Sequence, residues 1–370
     1  SYPLAELGKL HLLALNQRAG VAVLQKMHIT DLTIAKKKHG ISQTLIEQIK
    51  QTLERKEQVL IFLNRRGYAP ILMCESCAWQ ANCPHCDAHF TLHTQPYAYL
   101  HCHHCGTINR LPEHCPECKK QSLKTIGLGT AKLEEHLHEL FPHNEVIRVD
   151  RDSTSRVGSW QKIYDRIQQN KPSILLGTQM LAKGHHFPHV TLVAILDIDS
   201  GLLSVDLRAP ERTAQLIIQV AGRSGRGEHK GSVYLQTLRP DHPMLTTLIE
   251  KDYRAVAKQM LAERKIAMLP PYRYAALVRV DSKDRAYSQQ YLAEIAQQLR
   301  EKAADLIDIW GPIPAPMERK AGRYRAHMVI LSADRAKLHF YLRQWWQHVV
   351  HLPRQHQLRL SIDVDPQEFS

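Results

Sequence analysis

All eight cysteines of the 370-residue chain fall between Cys74 and Cys118, and they come as four C-x-x-C pairs: Cys74/Cys77, Cys83/Cys86, Cys102/Cys105 and Cys115/Cys118. A C-x-x-C turn places two thiolates on one cation, and tetrahedral Zn²⁺ needs two such turns. Two zinc ions therefore account for every cysteine. Three pairings of the turns are possible, and spacing ranks them. Cys83, Cys86, Cys102 and Cys105 follow the C-x2-C-x15-C-x2-C ribbon spacing, and HFTLH and YAYLH around Thr94-Gln95-Pro96 read as a hairpin that would close them on one ion. Cys74, Cys77, Cys115 and Cys118 would share the second ion, nested outside the first. A sequential pairing would crowd two turns around only five residues. Disulfides fit less well, because the rest of the chain reads as cytosolic and the spacing is that of metal knuckles. With eight thiolates available, His85, His101, His103, His104 and His114 read as solvent-side or hydrogen-bonding groups. A closed four-thiolate site activates no water, so its expected task is to fold a small module with little core of its own. Trp79 could stack on a base or pack against its neighbouring turn, and packing is the favoured reading.

A second group of residues suits phosphate. Gln219-Val220-Ala221-Gly222-Arg223-Ser224-Gly225-Arg226 is Q-x-x-G-R-x-x-R, with two guanidinium groups three apart that can project from one helical face. Arginines so placed can stabilise charge on a transferring phosphoryl group. Gly177-Thr178-Gln179-Met180-Leu181-Ala182-Lys183-Gly184 follows an apolar strand directly, where backbone amides can approach phosphate at a strand's carboxyl end.

The elements that must hold these residues alternate. Short apolar runs at 59–63, 146–149, 173–176, 191–196 and 231–235 predict buried parallel strands, with helical spacing over 131–141, 159–169 and 210–221. The reading is an α/β layer interrupted by the cysteine module after its first clear strand. From about 270 the order changes to strand 277–280, helix 284–304, strands 309–310 and 326–331, helix 333–350 and strand 358–364, a small α+β domain. Within it, 319–325 carries four cations and an aromatic, which suits an exposed basic loop or a phosphate or acidic-peptide site. The formal charge of +13 favours a polyanionic partner, and about +9 would remain with eight thiolates on two zinc ions. No apolar run reaches the length of a membrane span, and LHLLAL at 10–15 lacks the flanks of a secretory signal, so the expected location is cytoplasmic, with no membrane partner.

These segments resemble the second, RecA-like motor lobe of superfamily 2 helicases. LNRRGYAP at 63–70, the four cysteine pairs, GLGTAKLEE at 127–135, DRDSTSR at 150–156, the turn at 177–193 and QVAGRSGRG at 219–227 occur in the order of the PriA (primosomal protein N′) replication-restart family. The resemblance implies a domain plan: 1–40 as the end of a first helicase lobe and linker, 41–73 and 119–240 as the second lobe, 74–118 as a binuclear zinc insertion, and 241–370 as a linker helix and C-terminal domain. It implies an ATP-dependent 3′→5′ DNA helicase that recognises stalled forks and D-loops and starts primosome assembly, and it implies nested zinc pairing. Carried over by position, Arg226 is the arginine finger, Arg223 its partner on the γ-phosphate, and Gln219 completes the motif. Gly177, Thr178, Lys183 and Gly184 face nucleotide, and Gln179, Arg65 and Arg66 face the DNA strand. Arg323 and Arg325 are the candidates for docking the acidic tail of single-stranded DNA-binding protein. Primosome proteins and the machinery that loads the replicative helicase are the implied partners, the chain itself being a monomer at the nucleoid. The sequence has no G-x-x-x-x-G-K-[ST] loop and no D-E-x-H pair for Mg²⁺, which helicases of this type carry on the first lobe. The expectation is a fragment that holds two Zn²⁺ but cannot hydrolyse ATP unaided. The competing expectation is an ATP-independent, zinc-bearing DNA-binding platform that loads other replication proteins.

Overall fold

Gln58–Leu63, QVLIFL, is buried at all six positions, as are Ser173–Gly177 and Val190–Leu196. Strands apolar on both faces must be covered on both, which parallel sheets achieve with crossover helices. In the computed structural model these runs form the centre of a six-stranded, all-parallel sheet. The structure describes residues 26–64, 71–74, 76–77, 79–93, 98–102, 105–126, 130–150, 153–154, 158–182, 187–204, 206–224, 231–303, 306–349 and 355–369, with residues 8, 10, 11 and 13. The chain divides into two compact units, one of 1–68 with 128–260 and one of 69–127 with 261–370.

In the first unit the strands are β1 (Lys26–Asp31), β4 (Gln58–Leu63), β10 (Glu145–Val149), β11 (Ser173–Gly177), β12 (Val190–Leu196) and β13 (Ser232–Thr237), in the order β1-β13-β12-β4-β11-β10. A small β2–β3 pair (Lys37–Lys38 and Ile41–Ser42) precedes α1 (Gln43–Glu54). Ser42 caps α1 by accepting from the Leu45 amide, and Leu45, Ile49 and Leu53 bury one stripe. With α2 (Thr130–Leu140) that stripe covers Val59, Ile61 and Leu63 of β4. The alternate residues, Leu60 and Phe62, face the other layer, with α3 (Ser159–Ile167), α4 (Gln179–Ala182), α6 (Ala209–Ala221) and α7 (Pro243–Glu250). A short α5 (Asp199–Leu202) links β12 to α6, and α8 (Tyr253–Ile266) follows α7. β1 lies within the stretch expected to be a preceding lobe and linker. It is instead the edge strand, paired in register from Lys26↔Ser232 to Asp31↔Thr237. Only Met27 and Ile29 of its six residues pack on the core, so its period is too weak to read.

In the second unit β5 (Ile71–Cys74), β6 (Thr91–His93), β7 (Tyr99–His101), β8 (Ile108–Arg110) and β9 (Leu123–Ile126) make an antiparallel sheet in the order β8-β7-β6-β5-β9. The C-terminal elements are β14 (Tyr274–Ser282), α9 (Arg285–Ala303), β15 (Asp308–Lys320), β16 (Arg323–Ser332), α10 (Arg335–Val349) and β17 (Arg359–Val364). Their order is β-α-β-β-α-β and their sheet reads β15-β16-β14-β17, the split βαβ arrangement. Ala276, Val278 and Val280 of β14 and Ala326, Met328 and Ile330 of β16 pack against α9 and α10. β15 is an edge strand, as Pro312, Pro314 and Pro316 require, since alternate prolines remove donors along one side.

Two glycines fix the geometry. Gly177 closes β11 where a Cβ would stand 2.3 Å from the Val149 carbonyl oxygen and 2.7 Å from Leu181 Cδ1. Gly177→Ala should destabilise the first unit by about 1–3 kcal/mol, the range of core overpacking, measured as a lowered denaturant midpoint with unchanged slope. Gly311 has φ +99° and its Cβ would lie 3.0 Å from the His327 carbonyl oxygen. Gly311→Ala should cost about 1–3 kcal/mol of backbone strain, seen as faster amide exchange in β15 and β16 while β4, β11 and β12 keep their protection.

Candidate functional site

The four C-x-x-C turns share one local geometry. The amides of Cys74, Cys83, Cys102 and Cys115 each donate to the carbonyl five residues on, those of Trp79, Ala88, Thr107 and Lys120, at 2.8–3.0 Å. Gly106 and Lys119 follow the second cysteine of their turns with positive φ, 79° and 61°. Each turn thereby presents both sulfurs to one side. The β6–β7 hairpin (Thr91↔His101, Leu92↔Leu100) joins the inner pair, and β5–β9 pairing (Cys74↔Leu123) joins the outer pair.

Two quartets result: Cys74, Cys77, Cys115 and Cys118, and Cys83, Cys86, Cys102 and Cys105, with all sulfurs of a quartet within 4.8 Å of one another. Tetrahedral Zn–S bonds of about 2.3 Å place sulfurs about 3.8 Å apart. Cys74–Cys118 and Cys77–Cys115 stand at 3.5 Å and Cys83–Cys105 at 3.6 Å. A disulfide would need about 2.05 Å, and all eight cysteines are free. The donor set therefore fits two zinc ions, without a ligand from His85, His101 or His114; His103 and His104 lie outside the described residues. The Ser122 hydroxyl, 3.0 Å from Cys74 Sγ, lowers that thiol to about 6. Burial pushes Cys86 up to about 12. At Cys105 burial is outweighed by hydrogen bonds from the Thr107 hydroxyl and amide, which bring it to about 6. At Cys77 the Trp79 amide is outweighed by burial and the neighbouring sulfurs, which raise it to about 12. Thiols this close cannot all ionise without a cation among them. Among the described residues the module's own buried core holds Leu72, Ala81, Phe90 and Leu100 beside three cysteines, with Trp79, Ala88, Leu92, Leu111 and Leu123 packed against it.

In the first unit, the carboxyl ends of β4 and β11 are neighbours, Phe62 opposite Gly177. The Thr178 carbonyl accepts from the Leu181 amide at 3.0 Å, starting α4, and Gln179 opens that helix, half-buried. Arg223 stands just beyond α6, buried, and its Nη2 donates to the Ala182 carbonyl at 2.7 Å. The arginine motif and the turn after β11, which are far apart in sequence, are thus joined. Gln219 is exposed on α6. Arg65, Arg66, Lys183, Gly184 and Arg226 lie outside the described residues. Asn64, directly before the two arginines, is held at the same edge by its amide to Leu196 and by the Ser200 hydroxyl on its carbonyl.

Asp150 is the residue whose role sequence spacing does not show. Its carboxylate accepts from Thr130 Oγ1 at 2.8 Å and the Ser153 amide at 2.8 Å, and lies 3.1 Å from Arg148 Nε. Thr154 Oγ1 donates to the Asp150 carbonyl and sits 3.3 Å from Met180 Sδ. Asp150 therefore ties Thr130, at the start of α2, to Ser153 and Thr154 beside the turn after β11. The only sequence hint is an Asp three residues before a Ser, a common local capping pair.

The 319–325 stretch is the tip of the β15–β16 hairpin, turning at Ala321 and Gly322, both left-handed at φ 52° and 71°, as a two-residue hairpin loop requires. Of the four cations of the expected basic loop one, Arg323, is turned inward, while Lys320 is exposed. Arg323 is buried, its guanidinium held by the Asp281 carboxylate and carbonyl and the Gln357 carbonyl. Arg319 lies over the Tyr324 ring, 5.7 Å from its centroid. Arg325 is half-buried, with Nη1 3.4 Å from the Met317 carbonyl.

Two family models match the chain: "Helicase conserved C-terminal domain" at residues 126–228 and "Primosomal protein N C-terminal domain" at 265–367. Replication restart protein PriA of Haemophilus influenzae is 46% identical over 98% of this chain and 49% of its own length. The protein of the same name from Bacillus subtilis is 36% identical over 99% of this chain and 46% of its length, and that of Rickettsia felis 36% over 98% and 56%. The chain spans about half the length of these curated relatives. Since the alignments take in the cysteine module as well as both matched domains, this chain belongs to the PriA replication-restart family.

Proposed function

We propose that this chain is the C-terminal half of an ATP-dependent 3′→5′ DNA helicase that recognises stalled forks and D-loops and starts primosome assembly. The observation that carries the reading is the bond from Arg223 to the Ala182 carbonyl, which draws the Q-x-x-G-R-x-x-R motif onto the turn after β11 in a chain whose family model is a helicase domain. In this reading Arg226 is the arginine finger and Arg223 its partner on the γ-phosphate. Gly177, Thr178, Lys183 and Gly184 line the nucleotide side, and Gln179, Arg65 and Arg66 meet the DNA strand. ATP with Mg²⁺ is held mainly by a lobe bearing the phosphate loop this sequence lacks.

DNA contact is supported by the +13 charge and by the sheet face opposite α9 and α10. Ile309 packs on the helix side, so Trp310 projects from the other face, half exposed, near exposed Ile313 and half-buried Arg279 and Arg325. An aromatic among cations suits stacked, unpaired bases. Arg325 also remains the candidate for an acidic tail of single-stranded DNA-binding protein, with Arg323 bracing the hairpin from inside. Primosome proteins are the further partners of a monomer working at the nucleoid in the cytoplasm. No helix among the described residues is long and apolar enough to cross a membrane.

Each cysteine quartet holds one zinc ion, which organises a module too poor in core to fold otherwise. Metal analysis of the purified chain should return two zinc ions per molecule. A strong chelator should abolish amide protection in β5–β9 while β4, β11 and β12 stay protected, because structural zinc contributes on the order of 10 kcal/mol to such modules. A metal-free, fully protected module would refute the assignment.

The function itself is tested on full-length protein with the phosphate-loop lobe present, on a forked DNA. Arg226→Ala should lower DNA-stimulated ATP hydrolysis by at least about 10³-fold while fork binding persists. Fork binding without any DNA-stimulated hydrolysis in the wild type would favour an ATP-independent loading platform.

A further inference from the structure

The tip of the β15–β16 hairpin is tied by its backbone although Lys320 and Ala321 are exposed. It pairs with the Cys83/Cys86 turn of the inner quartet through four backbone-centred bonds. The Ala321 amide donates to Cys86 Sγ at 3.1 Å and the Gly322 amide to the His85 carbonyl at 2.7 Å. The Asp87 amide donates to the Arg319 carbonyl at 2.8 Å, and the Arg319 amide returns a bond to the Asp87 carboxylate at 2.5 Å. These bonds bracket Cys86 on both sides. They join residues 85–87 to residues 319–322, more than 230 positions apart in the chain. Among the described residues the outer quartet has no such tie: the Ser122 hydroxyl at Cys74 Sγ and the Trp79 amide at Cys77 both lie inside the module itself.

The chemistry of the contact is specific to a metal-bearing thiolate. Four thiolates on Zn²⁺ leave a net charge of about −2, and an amide donated to one of the sulfurs relieves it. The tip that supplies the amide carries Arg319 and exposed Lys320, and Arg285 beside it holds Glu318 in a two-pronged pair at 2.6 and 2.8 Å. The left-handed conformation of Ala321 and Gly322 is the shape in which successive amides can point outward together. Donors of this kind outside the ligand set govern how firmly a metal is held.

We propose that the inner quartet is the latch of the C-terminal hairpin: metal bound at Cys83, Cys86, Cys102 and Cys105 fixes the hairpin tip to the module, and loss of that metal, but not of the outer one, releases it. The inference rests on the reading that both quartets bind zinc. It gives the two chemically identical sites different tasks, the outer closing the module and the inner joining it to the C-terminal domain.

The test uses the whole chain loaded with zinc and two readouts, metal release to a chromophoric chelator and amide exchange. Cys102→Ser removes an inner ligand that does not touch the hairpin, and Cys77→Ser removes an outer one. Each should drop one zinc, but only Cys102→Ser should speed exchange at Asp87, Ala321 and Gly322, by about tenfold or more, and open trypsin cleavage after Arg319 and Lys320. Should the inner-site variant fail to fold, Asp87→Ala keeps all eight cysteines and loosens the tip alone. It should accelerate release of one zinc by about 10–100-fold and leave the other at the wild-type rate. Two bound zinc ions with hairpin exchange indifferent to Cys102→Ser, or both released at wild-type rates from Asp87→Ala, would overturn the latch while leaving the metal assignment standing. Fewer than two zinc ions on the wild-type chain would overturn both.

Discussion

The Ala182 carbonyl, at the end of a four-residue helix, has one guanidinium donated to it, and the organisation of the first unit around its motifs follows from that contact. Arg223 is buried, and a buried arginine must be given acceptors or its charge is prohibitively costly. The acceptor supplied is the backbone of the turn after β11, so the end of α6 cannot move without that turn. The turn in turn is wedged by Gly177 against Val149, whose successor Asp150 holds the start of α2. Four separated segments thereby become one rigid edge of the sheet. A charge-stabilising arginine is effective only if its position does not relax during the reaction, and for the role proposed above this chain of contacts would supply that stiffness from backbone and buried side chains.

The cysteine module answers a different problem. Its cluster has four ordinary apolar side chains at the centre, against the two dozen buried residues of the larger core in the first unit. Such a cluster does not offset the loss of chain entropy over some fifty residues. In the proposed reading metal coordination replaces packing as the source of order, and the turn geometry repeated at all four C-x-x-C pairs suits it, since each turn closes on its own backbone hydrogen bond.

What the sequence discloses follows the range of the interactions concerned. C-x-x-C turns are local, and their spacing already ranks the nested grouping. Val59–Leu63, Ser173–Leu176 and Thr191–Leu196 advertise themselves because burial on both faces demands uninterrupted apolar residues. The β-α-β-β-α-β order is legible for the same reason, each element having its own period. β1 is not, because an edge strand with polar residues at four of six positions carries no period of its own and is fixed by β13, some two hundred residues later. Arg323 shows the limit most clearly: four cations in seven residues look like a surface site, and only the long-range pairing with Asp281 reveals that one of them is interior. Asp150 is hidden likewise, since a hub is defined by what surrounds it in space.

Nesting has a consequence for how the module comes into being. The inner quartet encloses a short hairpin loop, whereas the outer one must join Cys77 to Cys115 across everything between. Closing a loop costs more entropy the longer it is, but once the hairpin has been cinched the intervening chain is no longer free and the remaining search is brief. With zinc at both quartets as proposed, the two ions would have a natural order of arrival, first inner and then outer. On that reading a newly made chain short of zinc would pause with its hairpin closed and its outer turns apart, and its maturation would be graded by metal supply rather than all-or-none.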